Sequence, residues 1–197
     1  MSSTIKSPWI IHYDASSCNG CDIEVLACLT PLYDVERFGI INSGNPKHAD
    51  ILLVTGSVNE RNITVLQQIY EQMLEPKVVI ACGICATSGG IFKECYNTLG
   101  GVDVALPVDI YAPGCAIRPE AIIDAVVAGL GVLEEKRAKL AAGTLEPARL
   151  PICLTAADKV IDGQTVRSAS LDALTAADKV VDGQTAQPAS LDVLKGD

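Results

Sequence analysis

A chain of 197 residues with 49% hydrophobic and 20% charged residues is able to bury a core, which excludes a wholly disordered protein. A formal net charge of -9 excludes the clustered basic surface that nucleic-acid binding requires. No apolar run reaches the roughly 20 residues of a membrane span, the longest being Ala121 to Leu133 with Asp124 inside it, and the N-terminus MSSTIKSPWIIHYD lacks a signal-peptide pattern. These features predict a soluble intracellular chain.

Trp9-Ile-Ile-His-Tyr13 reads as a buried strand, followed by a helical pattern from Asp22 to Leu29 that stops before Pro31. Tyr33 to Ile41 alternates like a strand, and Ile51-Leu-Leu-Val-Thr55 is a continuous apolar strand ended by Gly56. Apolar residues at 63, 65, 66, 69, 70, 73 and 74 form one helix face. Val78-Val-Ile-Ala81 predicts another buried strand, and Val104 to Ile110 a weaker one. Pro119 opens a helix running to about Ala142, with Gly143 as its stop. Strands alternating with helices predict an α/β, doubly wound parallel sheet, in which ligands bind beyond the carboxyl ends of the strands.

The C-terminal part has a different character. Segment 154–173, LTAADKVIDGQTVRSASLDA, is followed at once by 174–193, LTAADKVVDGQTAQPASLDV, with fifteen of twenty positions identical. Two such units are too few for a solenoid core, and from Pro151 onward seven Asp stand against four Lys or Arg. Residues 1–143 are expected to form the working domain, and residues 144–197 a low-complexity tail, flexible or draped on a partner.

Eight cysteines stand out: Cys18, Cys21, Cys28, Cys82, Cys85, Cys95, Cys115 and Cys153. An unexported chain of this length has no need of disulfides, so repeated spacings point to metal or redox chemistry. Cys18 and Cys21 follow the first strand, Cys82 and Cys85 the Val78–Ala81 strand, and Cys115 the Val104–Ile110 strand. All three loops belong to one edge of the sheet. Four thiolates suit zinc, through two knuckles at Cys18, Cys21, Cys82 and Cys85, or an iron–sulfur cluster. Glycines at 20, 83, 89, 90 and 114 suit the cluster, because they let backbone N–H groups approach sulfur.

The runs S-S-C-N-G-C-D-I-E, N-P-K-H-A-D-I-L-L-V-T-G, G-I-C-A-T-S-G-G-I-F and P-V-D-I-Y-A-P-G-C-A-I-R-P-E resemble the small subunit of energy-converting [NiFe] hydrogenases. That branch is similar to the cluster-bearing 20 kDa subunit of respiratory complex I. The resemblance spans roughly residues 8 to 137. It implies a flavodoxin-like fold holding one [4Fe–4S] cluster, with Cys18, Cys21, Cys85 and Cys115 as ligands. Cys82 falls outside that pattern, and Ala116 stands where the family often has Pro. The complex I subunits carry two adjacent Cys at the first motif, whereas Asn19 and Gly20 separate them here, as in the hydrogenases. The contexts R-x-C-G-x-C and D-P-C-x-x-C of a nickel-bearing subunit are missing, so the NiFe site is expected on a partner.

The implied role is an oxidoreductase subunit that relays electrons between ferredoxin-type clusters and the NiFe large subunit. Hydrogen evolution or oxidation would be coupled to ion translocation by membrane subunits. The expected partners are that large subunit, a ferredoxin-like iron–sulfur subunit and the membrane subunits, on the inner face of the cell membrane. The alternatives are a complex I-like 20 kDa subunit of a quinone or related oxidoreductase, and a zinc-stapled interaction module. Glu24 is a candidate proton relay, and Asp22 beside it suits a helix start. Arg118 is a candidate to offset cluster charge or bridge to a partner, and Asn59-Glu60-Arg61 a candidate interface loop. His12 is expected buried and hydrogen-bonded, and His48 exposed.

Overall fold

The computed structural model describes residues 7–146 and 150. The strands are β1 (Trp9–Asp14), β2 (Ile41–Asn42), β3 (Ile51–Thr55), β4 (Val58–Asn59), β5 (Val78–Cys82), β6 (Thr98–Gly100) and β7 (Ile110–Ala112). The helices are α1 (Gly20–Ala27), α2 (Asn62–Gln72), α3 (Ile84–Ser88) and α4 (Pro119–Ala141). Five strands form one sheet in the order β2-β1-β3-β5-β7, each neighbouring pair parallel. β4 and β6 make a separate antiparallel pair.

The central strands are apolar throughout because both faces of the sheet are covered. All five residues of β3 and of β5 are buried. Alternation sorts them: Leu52, Val54, Val79 and Ala81 pack with Ile63, Leu66 and Tyr70 of α2. Ile51, Leu53, Val78, Ile80 and Cys82 pack with Val25 of α1 and with Ile122, Val126 and Leu133 of α4. Leu150 lies against the α2-side core.

The long helix obeys its sequence signals. Pro119 occupies its first turn, and Gly143, at φ +68°, takes the left-handed turn just past its end. Two expected strands differ. Tyr33 to Ile41 is a 3-10 turn at Val35–Phe38 followed by the short β2, bracketed by left-handed Asp34 and Gly39. The Val104–Ile110 strand begins only at Ile110, because a 3-10 turn occupies Val102–Val104 and Pro107 supplies no N–H for a ladder. Apart from Thr144–Glu146 and Leu150, the tail and its two repeats lie outside the described residues.

Candidate iron–sulfur site

Parallel register brings the carboxyl ends of four strands to one edge: Asp14 pairs with Thr55, Thr55 with Cys82, and Cys82 with Ala112. The chain leaves that edge through three thiol-bearing segments. Cys18 lies in the β1–α1 turn and Cys21 in the first turn of α1. Cys85 lies in α3, and Cys115 in the β7–α4 loop.

Hydrogen bonds lock these segments together. Asp14 Oδ1 accepts from the Ser16 and Ser17 amides, and the Ser16 hydroxyl donates to the Ser57 carbonyl at 2.7 Å. The Gly83 and Ile84 amides donate to the carbonyls of Ala112 and Gly114, at 2.8 and 2.9 Å. The Ile117 backbone N–H faces the Cys21 thiol closely enough to lower its pKa. The Cys115–Ala116 peptide bond is cis.

Two of the four family-implied thiols, Cys21 and Cys85, feel the other thiols of the set. Burial, as the largest cause, pushes the Cys21 thiol up; the Ile117 N–H opposes this, and Asp22, Cys18 and Cys115 add to it. Cys85 is pushed up by burial and then by Cys18, Cys115 and Cys21. Cys21 and Cys85, raised in this way, are poised to release protons to a cationic group that takes their charge. Cys18 and Cys115 are exposed, while Cys21 and Cys85 are half-buried.

Glycine shapes the pocket around these sulfurs. A Cβ on Gly83 would lie 2.5 Å from Cys21 Sγ, on Gly90 3.2 Å from Cys85 Sγ, and on Gly20 3.5 Å from Cys18 Sγ. Side chains here would occupy the space next to three of the four sulfurs. The residues therefore fit a bulky sulfur-bound group. Among the described residues, no three Cys, His, Asp or Glu side chains are gathered tightly enough for a single metal ion.

Cys82 stands apart. As the last residue of β5 it follows Val78 and Ile80 onto the α1–α4 face, where it is fully buried. Burial, then Cys21 and Cys28, push its thiol up to about 12. Cys28 is likewise buried, and burial first among its causes holds its thiol at about 11. Both behave as neutral core side chains.

The remaining candidates have other partners. The Glu24 carboxylate acts on Cys28 and Tyr33. Arg118 is exposed before α4, where its charge helps to lower the Glu120 carboxyl. Asn59 Oδ1 caps the turn into α2 by accepting from the Arg61 and Asn62 amides. His48 is exposed against Trp9, and His12 is half-buried and hydrogen-bonded. Sequence reasoning missed the clamp around Asp22, which joins His12, Ser17 and Thr55, and the Ile117 N–H. His12 and Thr55 are 43 residues apart, so no local pattern announces their meeting.

Comparison with known proteins gives consistent relatives. Residues 18–129 match the model of the family described as NADH ubiquinone oxidoreductase, 20 Kd subunit. The chain is 49% identical over 142 residues to the probable membrane-bound hydrogenase subunit mbhJ of Pyrococcus furiosus, covering 72% of this chain and 83% of that one. It is 43% identical over 131 residues to formate hydrogenlyase subunit 7 of Escherichia coli, covering 66% of this chain and 51% of that protein. Among solved structures, a chain of the membrane-bound sulfane sulfur reductase, an archaeal respiratory membrane complex, superposes with a TM-score of 0.59 and 37% identity. That match covers 68% of this chain and 73% of that one. Fold, motif order and relatives agree: the chain belongs to the 20 kDa subunit family of NADH–ubiquinone oxidoreductase, which includes subunits of membrane-bound hydrogenases.

Proposed function

We propose that this chain is the electron-transfer subunit of a membrane-associated [NiFe] hydrogenase complex. It would carry one [4Fe–4S] cluster on Cys18, Cys21, Cys85 and Cys115. The observation that carries this reading is the convergence of three thiol-bearing segments from one sheet edge, with Cys18 and Cys115 both close enough to act electrostatically on Cys21 and Cys85. When bound, the cluster supplies one-electron redox chemistry at a potential tuned by charge and hydrogen bonds to sulfur.

The chain's own residues do the rest. The Ile117 backbone N–H lowers the Cys21 pKa, an influence that favours the thiolate. Gly20, Gly83 and Gly90 keep the space beside the sulfurs free of side chains. Apolar side chains flank the thiols on the outside: Ile23 and Leu26 on α1 are 64% and 54% exposed, and Ile91 beyond α3 is 88% exposed. Such a surface suits burial against a large subunit carrying the NiFe site. Among the described residues no helix is long and apolar enough to cross a membrane. That is in keeping with attachment to the inner face of the membrane through partner subunits, one of them a ferredoxin-like iron–sulfur donor. Asn19 and Gly20 between the first two thiols favour the hydrogenase branch over the complex I branch.

The test is metal analysis of the purified complex. Cys115→Ala should remove one cluster's iron and sulfide and abolish hydrogenase activity. An unchanged iron content would overturn the reading. The likeness to the sulfane sulfur reductase chain favours a second reading, the same relay serving a different large-subunit chemistry. A complex that keeps its iron and lacks hydrogenase activity would select it.

A further inference from the structure

The segment that carries the first two thiols is strained on both sides of Cys18. Ser16 at φ +87° and Asn19 at φ +65° lie in the left-handed region that residues with a side chain seldom adopt. Such a loop keeps its shape only where its surroundings hold it. The start of α1 has no side-chain cap of its own, because Asn19 makes no capping hydrogen bond. The hold comes instead from three consecutive residues at the exit of β3, none of them a thiol: Thr55, Gly56 and Ser57.

The Ser57 carbonyl accepts from the Ser16 hydroxyl at 2.7 Å, and the Thr55 carbonyl accepts from the Ala15 amide at 2.8 Å. Gly56, at φ +78°, lets the loop close onto the strand end. A Cβ there would overlap the Ser17 amide nitrogen and stand 2.7 Å from the Ser16 carbonyl carbon. The fully buried Thr55 side chain reaches further, across the loop to α1. Its Oγ1 lies 2.6 Å from Asp22 Oδ1, 3.1 Å from His12 Nε2 and 3.5 Å from the Tyr13 carbonyl. A hydroxyl has one proton to give, and the short contact to the carboxylate takes it. The Ser17 hydroxyl donates to Asp22 Oδ2, and its oxygen accepts from the Asn19 amide at 2.9 Å. Asp22 directly follows Cys21, is only 13% exposed, and its charge is felt at the Cys21 thiol. A carboxylate so shielded from water depends on the hydrogen bonds it accepts.

We propose that Thr55 is the positioning residue for the first two cluster ligands: acting through Asp22, its hydroxyl sets the backbone bearing Cys18 and Cys21 relative to Cys85. This deepens the cluster reading above and rests on it. The sheet register makes Thr55 the link between the two thiol segments. On one side it pairs with Asp14, at the root of the Cys18 loop, and on the other with Cys82, three residues before Cys85.

The test compares the EPR spectrum and the iron and sulfide content of the dithionite-reduced, intact complex in wild type, Thr55→Val and Thr55→Ser. Valine keeps the branched shape and loses the hydroxyl, whereas serine keeps the hydroxyl and loses a methyl group. The expected result is a displaced spectrum with a lower iron content in Thr55→Val, and wild-type values of both in Thr55→Ser. A wild-type spectrum in Thr55→Val overturns the proposal. So does the same displacement in Thr55→Ser, because packing and not the hydroxyl would then set the site. Should Thr55→Val hold no iron, Ser17→Ala gives the second measurement, since it removes the other hydroxyl on the same carboxylate. A displaced spectrum is expected there, and an unchanged one overturns the proposal. Full iron and signal in Cys115→Ala would fail the cluster reading and this proposal with it. A signal lost in Cys115→Ala but unshifted in Thr55→Val would fail this proposal alone.

Discussion

Replacing Gly83 by Ala acts on the site at a point where two costs add. Gly83 has φ +89° and ψ 163°, a conformation that side chains rarely adopt, and holding alanine there costs of order 1–3 kcal/mol. The new Cβ would stand 2.5 Å from Cys21 Sγ. Turning the sulfur out of its rotamer to relieve that contact costs about 0.5–1.5 kcal/mol more. The sum, roughly 2–4 kcal/mol, is below the ~5–15 kcal/mol that holds a domain folded. The chain should therefore survive, with a melting temperature lower by roughly 4–16 °C, and it should lose the placement of Cys21. The assay is thermal unfolding of the subunit together with iron and sulfide analysis of the purified complex. Gly131→Ala is the control: it sits in α4 with nothing within 4 Å of a new Cβ, and should stabilise by about 0.5–1 kcal/mol. A Gly83→Ala complex with full iron content and an unshifted EPR spectrum would refute the argument that the backbone at Gly83 shapes the sulfur site.

Other perturbations separate the remaining claims. Cys85→Ala should abolish the cluster, whereas Cys82→Ala should keep iron and EPR signal and cost about 1–3 kcal/mol of stability as a disturbed core position; the reverse pattern in metal analysis would exchange their roles. The cluster-free chain should lose stability as pH rises from the ordinary thiol value of 9.0 towards about 12, because the unfolded state ionises while buried Cys82 stays protonated. Burial pushes the Tyr70 phenol up and adds loss of the same sign, which urea unfolding against pH would measure. Truncation at Pro151 keeps Leu150 on the core and should leave iron content and activity nearly unchanged; an iron-free truncated complex would show that the repeats belong to the working domain.

Legibility from sequence followed the length and burial of each element. β3 and β5 are uninterrupted apolar runs because they are covered on both faces, so both were plain in the residues. α4 carried its start in Pro119 and its stop in Gly143. Tyr33 to Ile41 misled because a turn with left-handed Asp34 and Gly39 can bury alternate apolar residues such as Val35 without a ladder. α3, at five residues, and the β4–β6 pair are too short to show a period. For the site, strand parity was readable evidence about Cys82: with Val78 and Ile80 it falls on a packed face, while Cys85 lies beyond the strand. The spacing alone left both in play. The Asp22 clamp was hidden because its members come from β1, the following turn, α1 and β3, and only the parallel register brings them together.

The central claim is that four thiols from three loops hold a redox-active iron–sulfur cluster. The direct measurement is the EPR spectrum of the dithionite-reduced complex, taken with iron, zinc and acid-labile sulfide analysis, for wild type and for Cys115→Ala. The account predicts a cluster signal in wild type that is missing from Cys115→Ala, together with a matching loss of iron and sulfide. Zinc bound in wild type and lost in the variant, with iron and EPR spectrum unchanged, would contradict it.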